Sequence, residues 1–361
     1  MFNKIQLVFY HAINYLKKII YVRTNFKIFL PKPMSAYFIT STKCNSKCLM
    51  CNSWKVKLRE VPLKSWKKAI DDLYNWCGPY LKINISGGEI LLTKYSQEIM
   101  SYCRSKFPLT GIISNGYLIN RKKAKELISH NFSNINVSLD GNSAKTVDRI
   151  RGQQKAFIRS RRAIEHLVKE KKKQKSKTKI ITKTIIMGLN IDEMVGTVKW
   201  VKKTGADGIY FQPIEPIFYS KQTLPELKKT DLWFKKEDEK IVIKTLDKLI
   251  KMKNDGYPIL NDVVTLEEMK YYFLSKPSKR GRGCKIDLDT FFISGEGSVS
   301  FCNDYPSLGN IKRESISRIL TSFKAQTLRN KIRQCAKNCL LTCTSDKKLP
   351  HLVRLFKFIT K

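Results

Sequence analysis

Residues 36–51 read AYFITSTKCNSKCLMC, and this stretch decides how the chain is interpreted. Its first residues are mostly aromatic or β-branched, which predicts a buried strand at Ala36–Thr40. Three cysteines follow the strand directly, at Cys44, Cys48 and Cys51. Three thiolates this close together on one loop can surround a small inorganic centre such as an iron–sulfur cluster. A structural zinc ion, which needs four protein ligands, is the alternative.

A strand-then-helix alternation extends from this stretch to about residue 216. Strands are predicted at Ala36–Thr40, Leu81–Ser86, Leu109–Ser114, Ile135–Leu139, Lys179–Met187 and Gly208–Gln212. Helices are predicted from about Leu63 and at Tyr95–Phe107, Arg121–Ser129, Ala156–Glu170 and Ile191–Lys203. Such alternation predicts an α/β fold with a parallel sheet and right-handed crossovers. Because an eight-unit barrel would be longer, we expect a partial (βα)6 TIM-like barrel.

The rest of the chain divides by composition. The barrel core is predicted at 35–218, after an N-terminal amphipathic helix and lead-in at 1–34. A helical linker is predicted at 219–275, a small α+β cysteine-rich domain at 276–345, and a basic tail at 346–361. Within the cysteine-rich domain, Thr290–Ser294 and Ser298–Cys302 flank two glycines and predict a β-hairpin.

Composition restricts the class and the compartment. Of 361 residues, 69 are basic and 30 acidic, so the net charge is +39, and 42% are hydrophobic, too many for a disordered polyelectrolyte. Eight of the ten cysteines lie in two groups, which favours metal or cluster ligation in a reducing, cytoplasmic compartment. Residues 5–22 are too polar to predict a membrane span. They predict a helix docked on the protein, with a membrane-surface anchor as the alternative left open.

Short polar segments recur where the later strands end. They are Ser86-Gly87-Gly88-Glu89, Ser114-Asn115-Gly116, the segment 136–141 (NVSLDG) and the segment 148–152 (DRIRG) that follows it. Each alone could be a turn, but their order at successive strand ends favours one shared site. Together with the cysteine loop they resemble the radical S-adenosylmethionine (radical SAM) superfamily, and the resemblance covers about residues 35–345.

This resemblance implies a cofactor set and a site. Cys44, Cys48 and Cys51 would hold a 4Fe–4S cluster whose open iron chelates SAM, and the reduced cluster would cleave SAM to a 5′-deoxyadenosyl radical that abstracts hydrogen from a substrate. The implied SAM-binding residues are Gly87, Gly88, Glu89, Ser114, Asn115, Ser138, Asp140, Arg151 and Gln212. No catalytic residue beyond the cluster is assigned.

A second group of cysteines lies in the C-terminal part of the chain. Its members are Cys284, Cys302, Cys335, Cys339 and Cys343. With the predicted hairpin they resemble the SPASM/twitch extension, which implies a second, auxiliary 4Fe–4S cluster held by four of the five. We favour Cys284, Cys302 and Cys343, with Cys335 or Cys339 as the fourth ligand, and a zinc site is the alternative. Two other cysteines, Cys77 and Cys103, are expected to be buried packing residues.

Several substrates and partners stay open at this point. By resemblance, the substrate is a peptide or protein, with a small molecule or cofactor precursor as the alternative, and the electron donor is a flavodoxin or ferredoxin. A hypothesis of another class is a basic, zinc-stapled protein that binds nucleic acid or a membrane surface. The sequence contains no aromatic-rich nucleic-acid module of the RNP type, and the nucleic-acid hypothesis does not explain the ordered strand ends.

Overall fold

The computed structural model describes residues 4–216, 223–277, 284–337 and 339–340. Within them one nine-stranded sheet has the order β6-β5-β4-β3-β2-β1-β7-β8-β9. Its strands are β1 (Ser35–Ile39), β2 (Lys82–Ser86), β3 (Thr110–Ser114), β4 (Asn134–Ser138), β5 (Lys179–Ile186), β6 (Gly208–Pro213), β7 (Thr290–Ile293), β8 (Ser298–Ser300) and β9 (Gly309–Asn310). The predicted α/β class is confirmed.

The strands β1 to β6 form the parallel part of the sheet, each paired with the next along the chain. All six correspond to predicted strands, with ends that differ by at most one residue. This consecutive order is the one expected of a partial barrel. It also brings the carboxyl ends of all six strands to the same edge, where the sites of such folds form.

Helices connect the parallel strands. They are α2 (Leu63–Cys77), α3 (Lys94–Lys106), α4 (Arg121–Ser129), α5 (Ala144–Arg151), α6 (Ala156–Lys173) and α7 (Met194–Thr204). The sequence analysis predicted one helix between β4 and β5, but the structure has two, because the DRIRG segment ends a helix of its own. Ser143 caps this helix by accepting a hydrogen bond from Thr146 N at 3.2 Å. Gly152 ends it in the left-handed conformation, with φ +56°.

Apolar side chains of the helices and the sheet form the core between them. On α2, Trp66, Ile70 and Leu73 are fully buried, and the ring of Trp66 lies 5.2 Å from that of Phe38 on β1. Burial of each such side chain stabilises the fold by about 1.5–3 kcal/mol relative to exposure. The two cysteines expected to pack in the interior, Cys77 and Cys103, are buried, which confirms that prediction.

The C-terminal strands extend the same sheet. The strand β7 pairs in parallel with β1, so that Phe38 lies opposite Ile293. It then forms the predicted hairpin with β8, whose turn contains Gly297 at φ +85°. The accompanying helices are α11 (Ile286–Asp289), α12 (Ile316–Thr321) and α13 (Phe323–Arg333). The second group of cysteines is therefore attached to the sheet that carries the first.

Two helical segments pack around this sheet. The segment between β6 and β7 contains α8 (Leu224–Leu227), α9 (Glu239–Asn254) and α10 (Val263–Phe273). Its backbone joins the edge of the sheet where Leu260 N donates to Ile209 O at 2.8 Å. At the other end of the chain, α1 (Lys4–Thr24) buries Leu7, Asn14 and Tyr21 against the protein. No helix in the described ranges is long and apolar enough to cross a membrane. The predicted tail at 346–361 lies outside the described residues.

Candidate active site

A cleft with a cavity volume of about 260 Å³ lies at the carboxyl ends of the parallel strands and opens to solvent. Small-molecule sites occupy about 300–1,000 Å³, so the size of the cleft is close to that of the smaller sites of this kind. The residues predicted from sequence that line it are Cys44, Cys48, Cys51, Gly87, Gly88, Ser114, Asn115, Ser138, Arg151 and Gln212. The structure thus brings together ten of the twelve residues predicted to hold the first cluster or SAM.

The backbone of the cysteine loop is held by the end of α5. Lys47 N donates to Arg151 O at 3.1 Å, and Leu49 N donates to Ile150 O at 2.9 Å. Gly152 follows, and a Cβ atom there would lie 2.3 Å from Lys47 O. Only glycine therefore fits, because its φ is positive and the two backbones touch. The DRIRG segment, interpreted from sequence as a SAM contact, also acts as the support of the cysteine loop.

The Gly-Gly-Glu segment after β2 contacts the same loop from the other side. Gly88 N donates to Ser41 O at 2.7 Å, and Glu89 N donates to Lys43 O at 2.8 Å. A Cβ on Gly88 would lie 2.0 Å from Lys43 O, so a side chain would push the two segments apart. These glycines permit the close approach of backbones that forms this side of the cleft.

Glu89 and Asp140 lie behind the cleft wall. Both are almost completely buried, at 1% and 0% exposed. Glu89 accepts hydrogen bonds from Ser114 Oγ at 2.8 Å and from Asn115 N at 2.7 Å. Burial raises the pKa of Glu89, although these hydrogen bonds act in the opposite direction. Glu89 therefore positions the end of β3, and its direct contact with SAM stays a prediction.

An ion pair between Asp140 and Arg151 orients the guanidinium of Arg151 toward the cysteine loop. Arg151 Nη2 pairs with Asp140 Oδ2, while Asp140 Oδ1 accepts from Ile185 N at 2.8 Å. Arg151 Nη1 lies 3.8 Å from Cys48 Sγ as a hydrogen-bond donor. Burial lowers the pKa of Arg151, but Asp140 and Cys48 outweigh it and the net pKa is raised. Asp140 is thus a positioning residue, and Arg151 places positive charge beside a cysteine.

The thiols of the cysteine loop are partly or fully buried. Burial raises the pKa of Cys44 to about 11 and also raises that of Cys48, where the charge of Arg151 opposes the effect. The free thiols of Cys44 and Cys48 would stay protonated, whereas bound metal deprotonates its thiol ligands. Asn115 Nδ2 donates to Asn45 Oδ1 at 2.8 Å, so the end of β3 also holds the loop.

Some cleft residues were not found from the sequence. Lys183 on β5 lines the cleft, as do Tyr37, Phe292, Trp54 and Asn303. Burial alternates along β5, and Lys183 occupies one of the half-buried positions. A lysine inside an otherwise apolar or Thr-rich strand was the available signal. No such sequence signal exists for Phe292 and Asn303, because they reach the cleft through the pairing of β7 with β1.

The second group of cysteines is partly described. Cys284 N and Cys335 N both donate to Ile332 O, at 3.3 and 3.0 Å. Cys302 is close enough to both for their charges to act on its thiol, although burial is the main cause that raises its pKa to about 11. Cys339 instead lies beside the buried carboxyl of Glu215. Cys343 lies outside the described residues.

The ligand set of the second group stays a prediction. In both groups of cysteines, as elsewhere among the described residues, no three His, Cys, Asp or Glu side chains stand at the spacing of one metal ion. Cys284, Cys302 and Cys335 lie near one another, which supports these three of the five predicted ligands.

Comparisons with known families agree with this geometry. The radical SAM superfamily model matches residues 38–201, and the model of the iron–sulfur cluster-binding domain SPASM matches residues 284–344. The two matches together cover 225 of the 361 residues. The chain belongs to the radical SAM superfamily and carries a C-terminal SPASM domain. These domains imply 4Fe–4S clusters and SAM as cofactors.

Individual relatives match over shorter ranges. The chain is 34% identical over 142 residues to Fe-coproporphyrin III synthase of Methanosarcina barkeri, covering 38% of this chain and 35% of that protein. It is 31% identical over 141 residues to the subtilosin biosynthesis protein AlbA of Bacillus subtilis, covering 38% and 31%. The matched region thus spans about a third of the length of these relatives.

Solved structures share the fold. Native anSMEcpe with bound AdoMet aligns with a TM-score of 0.61 at 20% identity, covering 84% of each chain. SuiB of Streptococcus suis aligns with a TM-score of 0.62 at 14% identity, covering 89% of this chain and 74% of that one.

The residues present fit the implied cofactors. Three thiols face one cleft, and the buried Arg151 Nε has no hydrogen-bond partner among the described residues. A buried donor of this kind is costly unless a ligand or water satisfies it. The cleft, the thiols and this donor together suit a cluster with a bound anionic group beside it.

Proposed function

We propose that this chain is a radical SAM enzyme that modifies a peptide or protein. The observation that carries the proposal is the convergence of three thiols and two close-packed glycines on one cleft at the ends of parallel strands. When bound, a reduced 4Fe–4S cluster together with SAM would supply the one-electron reduction and the hydrogen-abstraction chemistry of this superfamily. The chain's own residues would bind and orient SAM and the substrate, and they would exclude water from the cleft.

Each group in the cleft has a proposed part. Cys44, Cys48 and Cys51 would ligate three irons and leave the fourth open, while Arg151 donates toward Cys48. The backbone around Gly87 and Gly88, together with Ser138 and Gln212, would bind SAM. Lys183, Trp54 and Asn303 line the cleft as well and would face the substrate side. A lysine there can bind a carboxylate of SAM or of the substrate.

The proposal of a peptide substrate draws on the names of two relatives. AlbA is a bacteriocin biosynthesis protein, and the mycofactocin maturase MftC of Mycolicibacterium smegmatis is 29% identical over 140 residues. The net charge of +39 would attract an acidic peptide, and also an acidic flavodoxin or ferredoxin as electron donor. A small-molecule substrate is the second candidate, because another relative is a coproporphyrin synthase.

Replacement of one cluster ligand tests the chemistry. After anaerobic reconstitution with iron and sulfide, wild-type protein with dithionite and SAM should form 5′-deoxyadenosine, and Cys48→Ala should abolish it. The control is Cys103→Ala, which removes a buried thiol from α3, away from the cleft, and should retain cleavage. Retained cleavage in Cys48→Ala would refute the assignment. Zinc without acid-labile sulfide in the wild type would favour the zinc-stapled binding protein instead.

The same assay separates the two substrate classes. Added substrate should raise the rate of 5′-deoxyadenosine formation above the uncoupled rate. Stimulation by acidic peptides supports the peptide proposal, whereas stimulation by iron tetrapyrroles alone supports the small-molecule candidate.

A further inference from the structure

The N-terminal helix α1 exposes an apolar stripe. Phe9, Ile13, Leu16 and Ile20 are 63%, 51%, 60% and 36% exposed. Their spacing of four, three and four residues places them on one face of the helix, over about 17 Å of its length. Two apolar side chains beyond the helix, Phe26 and Ile28, are also exposed, at 63% and 79%. Isolated exposed apolar residues are ordinary, but a continuous row of this kind marks an interaction surface.

The opposite face of α1 fixes the helix to the protein through polar contacts. Tyr10 Oη donates to Pro33 O at 3.2 Å, and Asn14 Oδ1 accepts from Lys32 N at 2.9 Å. Lys18 Nζ pairs with Asp289 at 2.5 Å. Further along, Tyr21 Oη donates to Gln326 Oε1 at 2.5 Å. The helix therefore cannot turn its apolar stripe inward without losing these contacts.

This arrangement is the reverse of an ordinary covering helix. A helix that only covers a protein core buries its apolar face and exposes its polar one. In α1, several polar side chains are used for attachment, and the apolar stripe is left outside. Folding of the described residues gives no reason for that stripe, so a partner outside the fold is the physical explanation.

Charge decides which partner fits. Arg23 and Lys27 are exposed next to the stripe, and the whole chain carries a net charge of +39. Two copies of so basic a chain would repel each other. An anionic lipid surface attracts basic side chains and accepts an apolar stripe at its headgroup boundary.

We propose that the Phe9–Ile20 stripe of α1 docks the enzyme on an anionic membrane surface, with α1 lying in the plane of the interface. The absence of a spanning helix in the described ranges is compatible with this placement. The cleft lies at the ends of the barrel strands, so docking through α1 would hold the enzyme at the membrane without using the cleft's own residues.

Vesicle flotation of the full-length protein tests the proposal. The protein should float with phosphatidylcholine vesicles that contain phosphatidylglycerol and remain behind with phosphatidylcholine alone. Raising the salt from about 0.1 M to about 1 M should weaken binding, because the screening length falls from about 10 Å to about 3 Å. The double variant Phe9→Ser/Leu16→Ser should lose at least about tenfold in vesicle affinity.

A matched double variant controls for the loss of exposed apolar side chains. Ile241 and Val264 are 37% and 44% exposed on other helices, so Ile241→Ser/Val264→Ser should bind vesicles like the wild type. Circular dichroism melting should show that both double variants fold. Equal binding of the α1 variant and the wild type would overturn the proposal. So would failure of the wild type to bind anionic vesicles, or self-association that the α1 variant abolishes.

Discussion

The two groups of cysteines are built in different ways. Cys44, Cys48 and Cys51 lie within one short loop, which hydrogen bonds from α5 and β3 hold from both sides. Cys284 and Cys335 are 51 residues apart in sequence and meet at the carbonyl of Ile332. The first group is thus organised locally, and the second depends on elements that are distant along the chain.

This difference bears on what each metal centre contributes. Closing a long chain segment costs more conformational entropy than closing a short one, so a metal bridge across the second group should gain more in stability. The first loop is largely prearranged by the protein, so its metal should contribute mainly chemistry. The following predictions are ordered by expected effect.

Removal of one predicted ligand from the second group should have the largest effect, which is a loss of iron and acid-labile sulfide. Cys302→Ser is expected to lower iron and acid-labile sulfide from about eight to about four of each per chain. It should also lower the melting temperature, because the remote segments lose their bridge. Anaerobic iron and sulfide analysis measures the first effect and calorimetry the second.

The outcome distinguishes the two centres. Cys302→Ser should still bind SAM, because its cleft cysteines are intact. The matched control is again Cys103→Ala, which should keep all eight irons. A Cys302→Ser protein with unchanged iron would show that this residue is not a ligand, and wild type with about four irons would leave the second group as a zinc or thiol site.

Features formed by residues that are close together in the sequence were predicted well. The strands β1 to β6 were found because buried parallel strands are short β-branched runs bounded by turn residues. The Gly87-Gly88 pair was found from its position at the end of a predicted strand and from its resemblance to the radical SAM superfamily, and the three clustered cysteines were found from their spacing. The hairpin at β7 and β8 was also found, from its glycine-containing turn.

Contacts between segments that are distant along the chain could not be predicted from the sequence. Nothing in Thr290–Ile293 specifies parallel pairing with a strand some 250 residues earlier, so Phe292 and Asn303 were not expected at the cleft. The orienting functions of Glu89 and Asp140 were also hidden. A buried carboxylate that holds a neighbouring group has the same sequence signature as one that touches a ligand.

A buried ion pair near each group allows a direct test of their support. Arg151 pairs closely with Asp140, whereas Arg329 Nε lies 3.9 Å from Asp287 Oδ2 near the second group. The pKa of Arg151 is raised, chiefly by Asp140 against the effect of burial, while burial lowers that of Arg329. The folded state thus stabilises the charge of Arg151 more strongly.

Replacement of each arginine should therefore differ in cost. Arg151→Met leaves Asp140 buried without its cation and is expected to cost about 3–5 kcal/mol of unfolding free energy. Arg329→Met should cost less, because its ion pair is longer. Urea denaturation of the metal-free, reduced proteins measures both. An equal or smaller loss at Arg151 would contradict the claim that this ion pair supports the first loop.

The smallest predicted effect isolates the contact between α5 and the cysteine loop. Gly152→Ala and Gly205→Ala both place alanine at a positive φ, of +56° and +78°, which alone costs about 1–2 kcal/mol. Only at Gly152 would the new Cβ meet a backbone atom, 2.3 Å from Lys47 O, whereas at Gly205 the nearest atom is 3.8 Å away. Gly152→Ala should therefore cost about 1–3 kcal/mol more by urea denaturation and lower iron retention at the first loop. Equal costs at the two glycines would mean that the cysteine loop yields freely to α5, and that the protein does not hold it in place.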